Sequence, residues 1–142
     1  MKRGPISAAT RKAIWTSCRK WALKRGEAIG ILPDQVPGQG EGVWAPFFGH
    51  PAYTMTLVGR LQQASDATVL LAFGERLPFG RGYKLWIRPF SGDLSGDAVH
   101  AASELNREIE NVVRMCPGQY LWNYNRYKAP RGVAPPADRQ GG

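Results

Sequence analysis

The sequence predicts an α/β fold: a partial three-layer arrangement of about three to four strands with flanking helices. Three observations carry the prediction. Stretches with apolar residues at helical spacing alternate with short apolar or alternating runs, and proline and glycine clusters separate them. The 142 residues, 43% hydrophobic and 21% charged, suit one domain with a usable core and leave little room for a second. The strands are few for the helices that would flank them, so the sheet reads as incomplete.

The first 25 residues hold Lys2, Arg3, Arg11, Lys12, Arg19, Lys20, Lys24 and Arg25 and no acid. Basic and acidic groups balance in the rest, so the net charge of +8 belongs to this segment. Such asymmetry points to an anionic partner: a phospholipid surface, a phosphorylated substrate or nucleic acid. A helix is expected from Ala8 to Arg25, because Ile14, Trp15, Cys18, Trp21 and Ala22 share one side and Arg11, Lys12, Arg19 and Lys20 lie largely outside it. Tryptophan flanked by basic residues fits a membrane-surface helix, and an ordinary core-facing helix with a basic solvated side fits equally. Nucleic acid is not expected, since no recognition motif accompanies the charge. No apolar run approaches the roughly 20 residues that span a bilayer. The basic start has no apolar stretch behind it, so a cleaved secretory signal is not expected. Cys18 and Cys116 have no metal-ligand spacing, which suits a reducing compartment without a metal or other cofactor.

Gly26 is placed to end the first helix, and the apolar run Glu27 to Leu32 reads as a buried strand. Pro33 to Gly49 reads as a long structured loop, of the kind that carries ligands where it leaves a strand. A second helix is expected from Pro51 to Ser65, closed by Asp66. Ala67 to Phe73 reads as a buried strand and Gly82 to Phe90 as an alternating one, with LPFGRG as the hairpin between them. Asp97 caps a long helix to Cys116, whose apolar stripe is Ala98, Ala102, Leu105, Ile109, Val112 and Val113. The organisation is therefore a basic helix over 1–25, an α/β body over 26–130, and a Pro/Gly-rich tail over 131–142 expected to be disordered.

Chemistry is sparse. His50 and His100 lack a nucleophile in a recognisable motif, and each reads as structural or exposed. The glycines of GQGEG lack the lysine and hydroxyl of a phosphate loop. Asp34, in a Pro-Asp-Gln step, could orient a substrate hydroxyl, pair with an arginine, or simply cap its own turn. Trp122, Tyr124, Arg126 and Lys128 mix aromatics with cations; aromatic packing suits Tyr120 and Trp122, and anion binding suits Arg126 and Lys128.

The runs GEAIGILPDQVPGQGEGVWAPFFGHPAYTMT and CPGQYLWNYNRYKAPRG closely resemble the lipid A biosynthesis acyltransferases, the lauroyl and myristoyl transferases of the lysophospholipid acyltransferase superfamily. The resemblance covers about residues 20 to 132 and implies an acyltransferase-like sheet. It implies transfer of a fatty acyl chain from acyl carrier protein to a Kdo-bearing lipid A precursor in lipopolysaccharide synthesis. The expected place is the cytoplasmic face of the Gram-negative inner membrane, with this chain peripheral and its partners the carrier protein, the precursor and the anionic surface. The family's Pro-Asp-Gln pattern falls on Asp34 and Gln35. Its closing pattern falls on Pro117, Gln119, Tyr120, Trp122, Arg126 and Lys128. The Pro-Phe-Phe-Gly step falls on Pro46, Phe47, Phe48 and Gly49 and is expected to shape a groove.

One departure matters. The family's catalytic signature is a histidine with an acid five residues later, in which the imidazole deprotonates the acceptor hydroxyl and the carboxylate fixes its tautomer. Here Met55 lies five residues after His50 and Leu105 five after His100. No catalytic residue is assigned, and the chain reads as the C-terminal half of such an enzyme, truncated and inactive when isolated. Asp34, Gln35, Arg126 and Lys128 are the expected substrate-binding residues, with Pro46, Phe47, Phe48 and Trp122 framing the groove. The alternatives are a non-catalytic basic module bound to a membrane surface, or an inactive truncated gene product.

Overall fold

The computed structural model describes residues 19–136. Helix α1 occupies residues 19–24; the part of the expected basic helix before Arg19, and the tail beyond Pro136, lie outside the described residues. Gly26 ends α1 at φ +76°, with its N–H donating to the Leu23 carbonyl and that of Glu27 to the Ala22 carbonyl. Glycine adopts this left-handed step without a Cβ penalty, as expected from the sequence.

Residues 27–32 are irregular, where a strand was expected. A strand needs a neighbour for its N–H and C=O groups, and among the described residues none runs beside this segment. Its apolar side chains are used otherwise: Ile29 and Ile31 line a groove of about 130 Å³ with Leu23, Val58, Leu61 and Leu71.

The expected loop and helix around Phe47 are replaced by a hairpin. Strands β1 (Gly42–Phe47) and β2 (His50–Met55) pair antiparallel, with Phe47 opposite His50 and Gly42 opposite Met55. Phe48 (φ +46°) and Gly49 (φ +77°) form the two-residue turn that matches strand twist. Proline is uncommon inside strands; here Pro46 and Pro51 lie within β1 and β2. They face each other one step from the turn, at a pair that exchanges no hydrogen bonds, so their missing N–H groups cost the ladder nothing. Helix α2 therefore begins only at Leu57 and ends at Ser65, with Asp66 in the left-handed cap position.

Strands β3 (Leu70–Arg76) and β4 (Tyr83–Pro89) form a second antiparallel hairpin, closed by the Leu77 N–H to Gly82 carbonyl bond, 2.8 Å. The LPFGRG connection is where the sequence put it. The strand is shifted three residues from expectation, and it is half-buried on one face and exposed on the other instead of buried. Helix α3 (Ala98–Met115) is capped by the Asp97 carboxylate, which accepts from the His100 N–H at 2.8 Å.

The architecture is thus mixed α/β, with the four strands in two small sheets. The core lies where α3 crosses the β1–β2 hairpin. Leu105, Ile109 and Val113 meet Phe47 and Ala52 there, and Val58 of α2 and Leu94 close one side. No described helix is long and apolar enough to cross a membrane.

Candidate functional site

The two family-like motifs meet at the β1–β2 turn. Arg126, in the irregular segment after α3, is only 2% exposed. Its Nη1 donates to the Tyr53 carbonyl at 2.8 Å, and its Nη2 to Thr54 Oγ1 at 2.8 Å and Asn106 Oδ1 at 3.1 Å. Asn106 in turn donates from Nδ2 to the Pro46 carbonyl at 2.9 Å and to Thr54 Oγ1 at 2.8 Å, and that hydroxyl donates to the Ala52 carbonyl. Three side chains from β2, α3 and the closing segment thus satisfy one another in the interior. The guanidinium also stands 5.3 Å from the Phe47 ring centroid. Its Nε–H is buried with no hydrogen-bond partner among the described residues.

Aromatic rings surround this hub. Phe47 contacts Phe48 (4.8 Å between centroids), Tyr120 (6.4 Å) and Tyr127 (6.1 Å). Trp122 stands edge-on to Tyr120 at 4.9 Å and tilted to Phe48 at 6.1 Å. The Tyr127 hydroxyl donates to the Phe47 carbonyl at 3.0 Å, and the Phe48 N–H donates to Glu110 Oε1 at 2.7 Å. Glu110 holds Arg114 at 2.9 Å, which places that guanidinium 5.1 Å from the Phe48 ring. Phe48 has a positive φ, unusual for a bulky side chain, and the Phe47–Phe48 peptide that leads into its turn is pinned through both its C=O and its N–H by these bonds.

Asp34 belongs to the same neighbourhood. Burial raises the Tyr120 phenol above its ordinary pKa, the Asp34 carboxylate adds to the shift, and Arg126 opposes it. Burial lowers the Arg126 pKa, with Tyr120 and then Asp34 acting the other way. The Pro33–Pro37 loop is tied to the closing segment by the Val36 N–H, which donates to the Tyr124 hydroxyl at 2.9 Å.

The sequence-derived residues therefore divide by position. Phe47 is fully enclosed, Phe48 and Asp34 are half-buried, and Pro46, Trp122, Gln35 and Lys128 are exposed. Lys128 Nζ lies 5.0 Å from the Tyr124 ring. Arg126 faces inward and is occupied by protein acceptors. Thr54, Asn106, Glu110, Arg114 and Tyr127 were not singled out from the sequence. Asn106 left a signal: it lies four residues after Ala102 and three before Ile109, a polar residue on the apolar stripe.

No described histidine completes a general base here. His50 begins β2, is exposed, and stands edge-on to Tyr127 at 5.9 Å. His100 does meet an acid, Asp93 at 3.6 Å, but both are open to water. His100 lies in the first turn of α3 and Asp93 in the loop before it, and His100 is ten residues and about 15 Å along the helix from Glu110. Among the described residues no group of three or more His, Cys, Asp or Glu could hold a metal ion.

Comparison with known proteins gives the family. The family described as bacterial lipid A biosynthesis acyltransferase matches residues 16–129. The lipid A biosynthesis lauroyltransferase of Escherichia coli K12 is 34% identical over 115 residues, covering 79% of this chain and 38% of that protein. The lipid A biosynthesis palmitoleoyltransferase of the same organism is 35% identical over 111 residues, covering 75% and 35%. A lipid A biosynthesis acyltransferase of Haemophilus influenzae is 31% identical over 100 residues, covering 70% and 31%. The chain spans about a third of the length of these curated relatives. By the extent of the family match, the chain belongs to the bacterial lipid A biosynthesis acyltransferases.

Proposed function

We propose that the chain serves acyl transfer in lipid A biosynthesis by framing the substrates, and that it does not supply the general base. The donor would be an acyl chain on acyl carrier protein and the acceptor a hydroxyl of a lipid A precursor, at the cytoplasmic face of the Gram-negative inner membrane. The observation that supports this reading best is the joining of both motifs at one turn. The Arg126–Thr54–Asn106 network and the Glu110 bond hold Phe48 and Trp122 as a partly open aromatic surface, with Arg114 over it. Such a surface suits an acyl chain beside an anionic group. Lys128 and Gln35, both exposed, are free to meet phosphate or carrier-protein acids, whereas Arg126 organises the site from inside. Asp34 contributes, after burial, to the electrostatics of Tyr120 and Arg126.

Attack on the donor thioester requires that the acceptor hydroxyl lose its proton, and no described side chain here is arranged to take it. Purified chain mixed with acylated carrier protein and lipid A precursor should bind at least one of them, read as a tryptophan fluorescence change that Trp122→Phe diminishes, and should transfer nothing measurable. Lys128→Glu should weaken that binding. Measurable transfer would overturn the missing-base reading; absence of binding to both would overturn the framing role.

A second reading has one observation behind it. Trp21 of α1 is 67% exposed beside Arg19, Lys20, Lys24 and Arg25, as in a helix lying on an anionic membrane. In sedimentation with vesicles, this reading requires binding that depends on anionic lipid and weakens with salt.

A further inference from the structure

The β3–β4 hairpin is apolar on both faces. Its alternation puts Leu71, Phe73, Glu75, Lys84, Trp86 and Arg88 on one face and Leu70, Ala72, Tyr83, Leu85 and Ile87 on the other. The first set holds Leu71, Phe73 and Trp86 together with the charges and, apart from the exposed Lys84, is half-buried and tied into the molecule. Trp86 stacks on Phe73 at 6.1 Å with the rings 6° from parallel, and its Nε1 donates to Glu75 Oε2 at 2.8 Å. Arg88 Nη2 meets Glu108 of α3 at 3.1 Å, and that carboxylate is almost wholly buried. The second set is uncharged apart from Arg76 at its end, and it faces outward: Leu70 is 56% exposed, Ile87 59%, Leu85 67% and Tyr83 76%. An antiparallel sheet with one wet side keeps its aliphatic residues inward and its charges outward. This hairpin carries large apolar residues on both faces, as a sheet does when a second layer covers it.

Two further observations say what that layer is. The sheet stops at two strands, with no third strand among the described residues, although two-stranded hairpins are marginal alone. The chain spans only 31–38% of its curated relatives. We infer that the Leu70–Ala72–Leu85–Ile87 face is a docking surface for polypeptide, namely the part of a lipid A acyltransferase domain that this chain does not span. The face is aliphatic and exposed, and it suits the apolar stripe of a helix. The inference rests on family membership and on packing, not on the acyl-transfer reading.

The test uses the full chain with Leu85→Cys and with Cys18 and Cys116 replaced by serine. Its thiol labelling rate is measured alone and in two companions. One is co-expression with the portion of the Escherichia coli lauroyltransferase that lies outside the match. The other is a single chain in which this protein takes the place of the matched portion of that enzyme. Labelling is expected to be fast in the chain alone and at least tenfold slower in the companions. The pair Leu85→Lys and Ile87→Lys should abolish co-purification while leaving the circular dichroism of the chain alone unchanged. Equal labelling in a folded companion would overturn the inference, and so would a fused chain that fails to fold while both parents fold. Slow labelling in the chain alone would overturn it too. It would assign the face to residues 1–18 if deleting them restores the rate, or to a second copy if the rate depends on concentration. Slowing by anionic vesicles but not by the polypeptide would assign it to lipid instead. Transfer activity is not read in any arm, so failure here is distinguishable from failure of the proposed function.

Discussion

Replacing Arg126 by methionine would leave the Tyr53 carbonyl and Asn106 Oδ1 buried without a donor. Each orphaned acceptor costs about 1–3 kcal/mol, so Arg126→Met should lower stability by about 2–4 kcal/mol in urea denaturation. Arg126→Lys should recover less than half of the loss, because one ammonium cannot reach acceptors on β2 and α3 that a planar fork meets together. A loss under about 0.5 kcal/mol for Arg126→Met would mean that the network is not what joins the closing segment to the hairpin. Tyr120 gives the site a pH dependence. Its phenol is raised above the ordinary tyrosine pKa of about 10, so the fold favours the neutral form. Unfolded chain ionises first; the contribution is whole below about pH 10 and is lost as pH rises through the folded value. Stability should therefore fall more steeply above pH 10 in the parent than in Tyr120→Phe.

At the scale of elements, β1 depends on a glycine for a reason other than turn geometry. A Cβ on Gly42 would stand 2.6 Å from the Thr54 carbonyl oxygen and 2.7 Å from Pro37 Cγ, both held by backbone or ring. Gly42→Ala should therefore force the end of the hairpin apart, with faster amide exchange at Val43 and Thr54. Gly49→Ala meets nothing within 4 Å and should cost only about 1 kcal/mol for its positive φ. These residues also explain what the sequence made legible. Gly26, Asp66 and Asp97 act through their own backbone and their immediate neighbours, so the ends of α1 and α2 and the start of α3 were readable in advance. The β1–β2 hairpin was not, because Pro46 and Pro51 are tolerated only through a register that pairs them, which is a non-local fact. Residues 27–32 failed in the opposite sense: strand-like composition cannot supply a neighbouring strand. At the site, sequence singled out the Pro46–Gly49 step and the closing segment as candidates. It could not show that Arg126 points inward, since that depends on Thr54 and Asn106, 72 and 20 residues away.

Across the whole molecule, stability is expected to be uneven, and the reason is geometric. β1, β2 and α3 enclose Phe47, Ala52, Leu105 and Ile109 and share the Arg126 network, so opening any of them disrupts the core. The β3–β4 hairpin has one covered face. It is fastened by the Arg88–Glu108 pair, the Phe73–Trp86 stack within it, and Gln119, which bonds the Arg76 N–H and carbonyl at 2.8 and 2.9 Å. Small packed area and few fastenings permit opening below the global unfolding energy. Native-state hydrogen exchange should therefore resolve two tiers. Amides of Leu70–Arg76 and Tyr83–Pro89 should exchange by a partial opening with weak denaturant dependence, while those of β2 and the centre of α3 exchange only on global unfolding. Arg88→Met should leave Glu108 without its cationic partner and make the hairpin tier less protected, and the global tier should fall by less. A single tier, with hairpin and core amides merging at every denaturant concentration, would mean that the exposed aliphatic face does not weaken the hairpin. Covering that face should bring the two tiers together, because the second layer adds burial only to the element that lacks it.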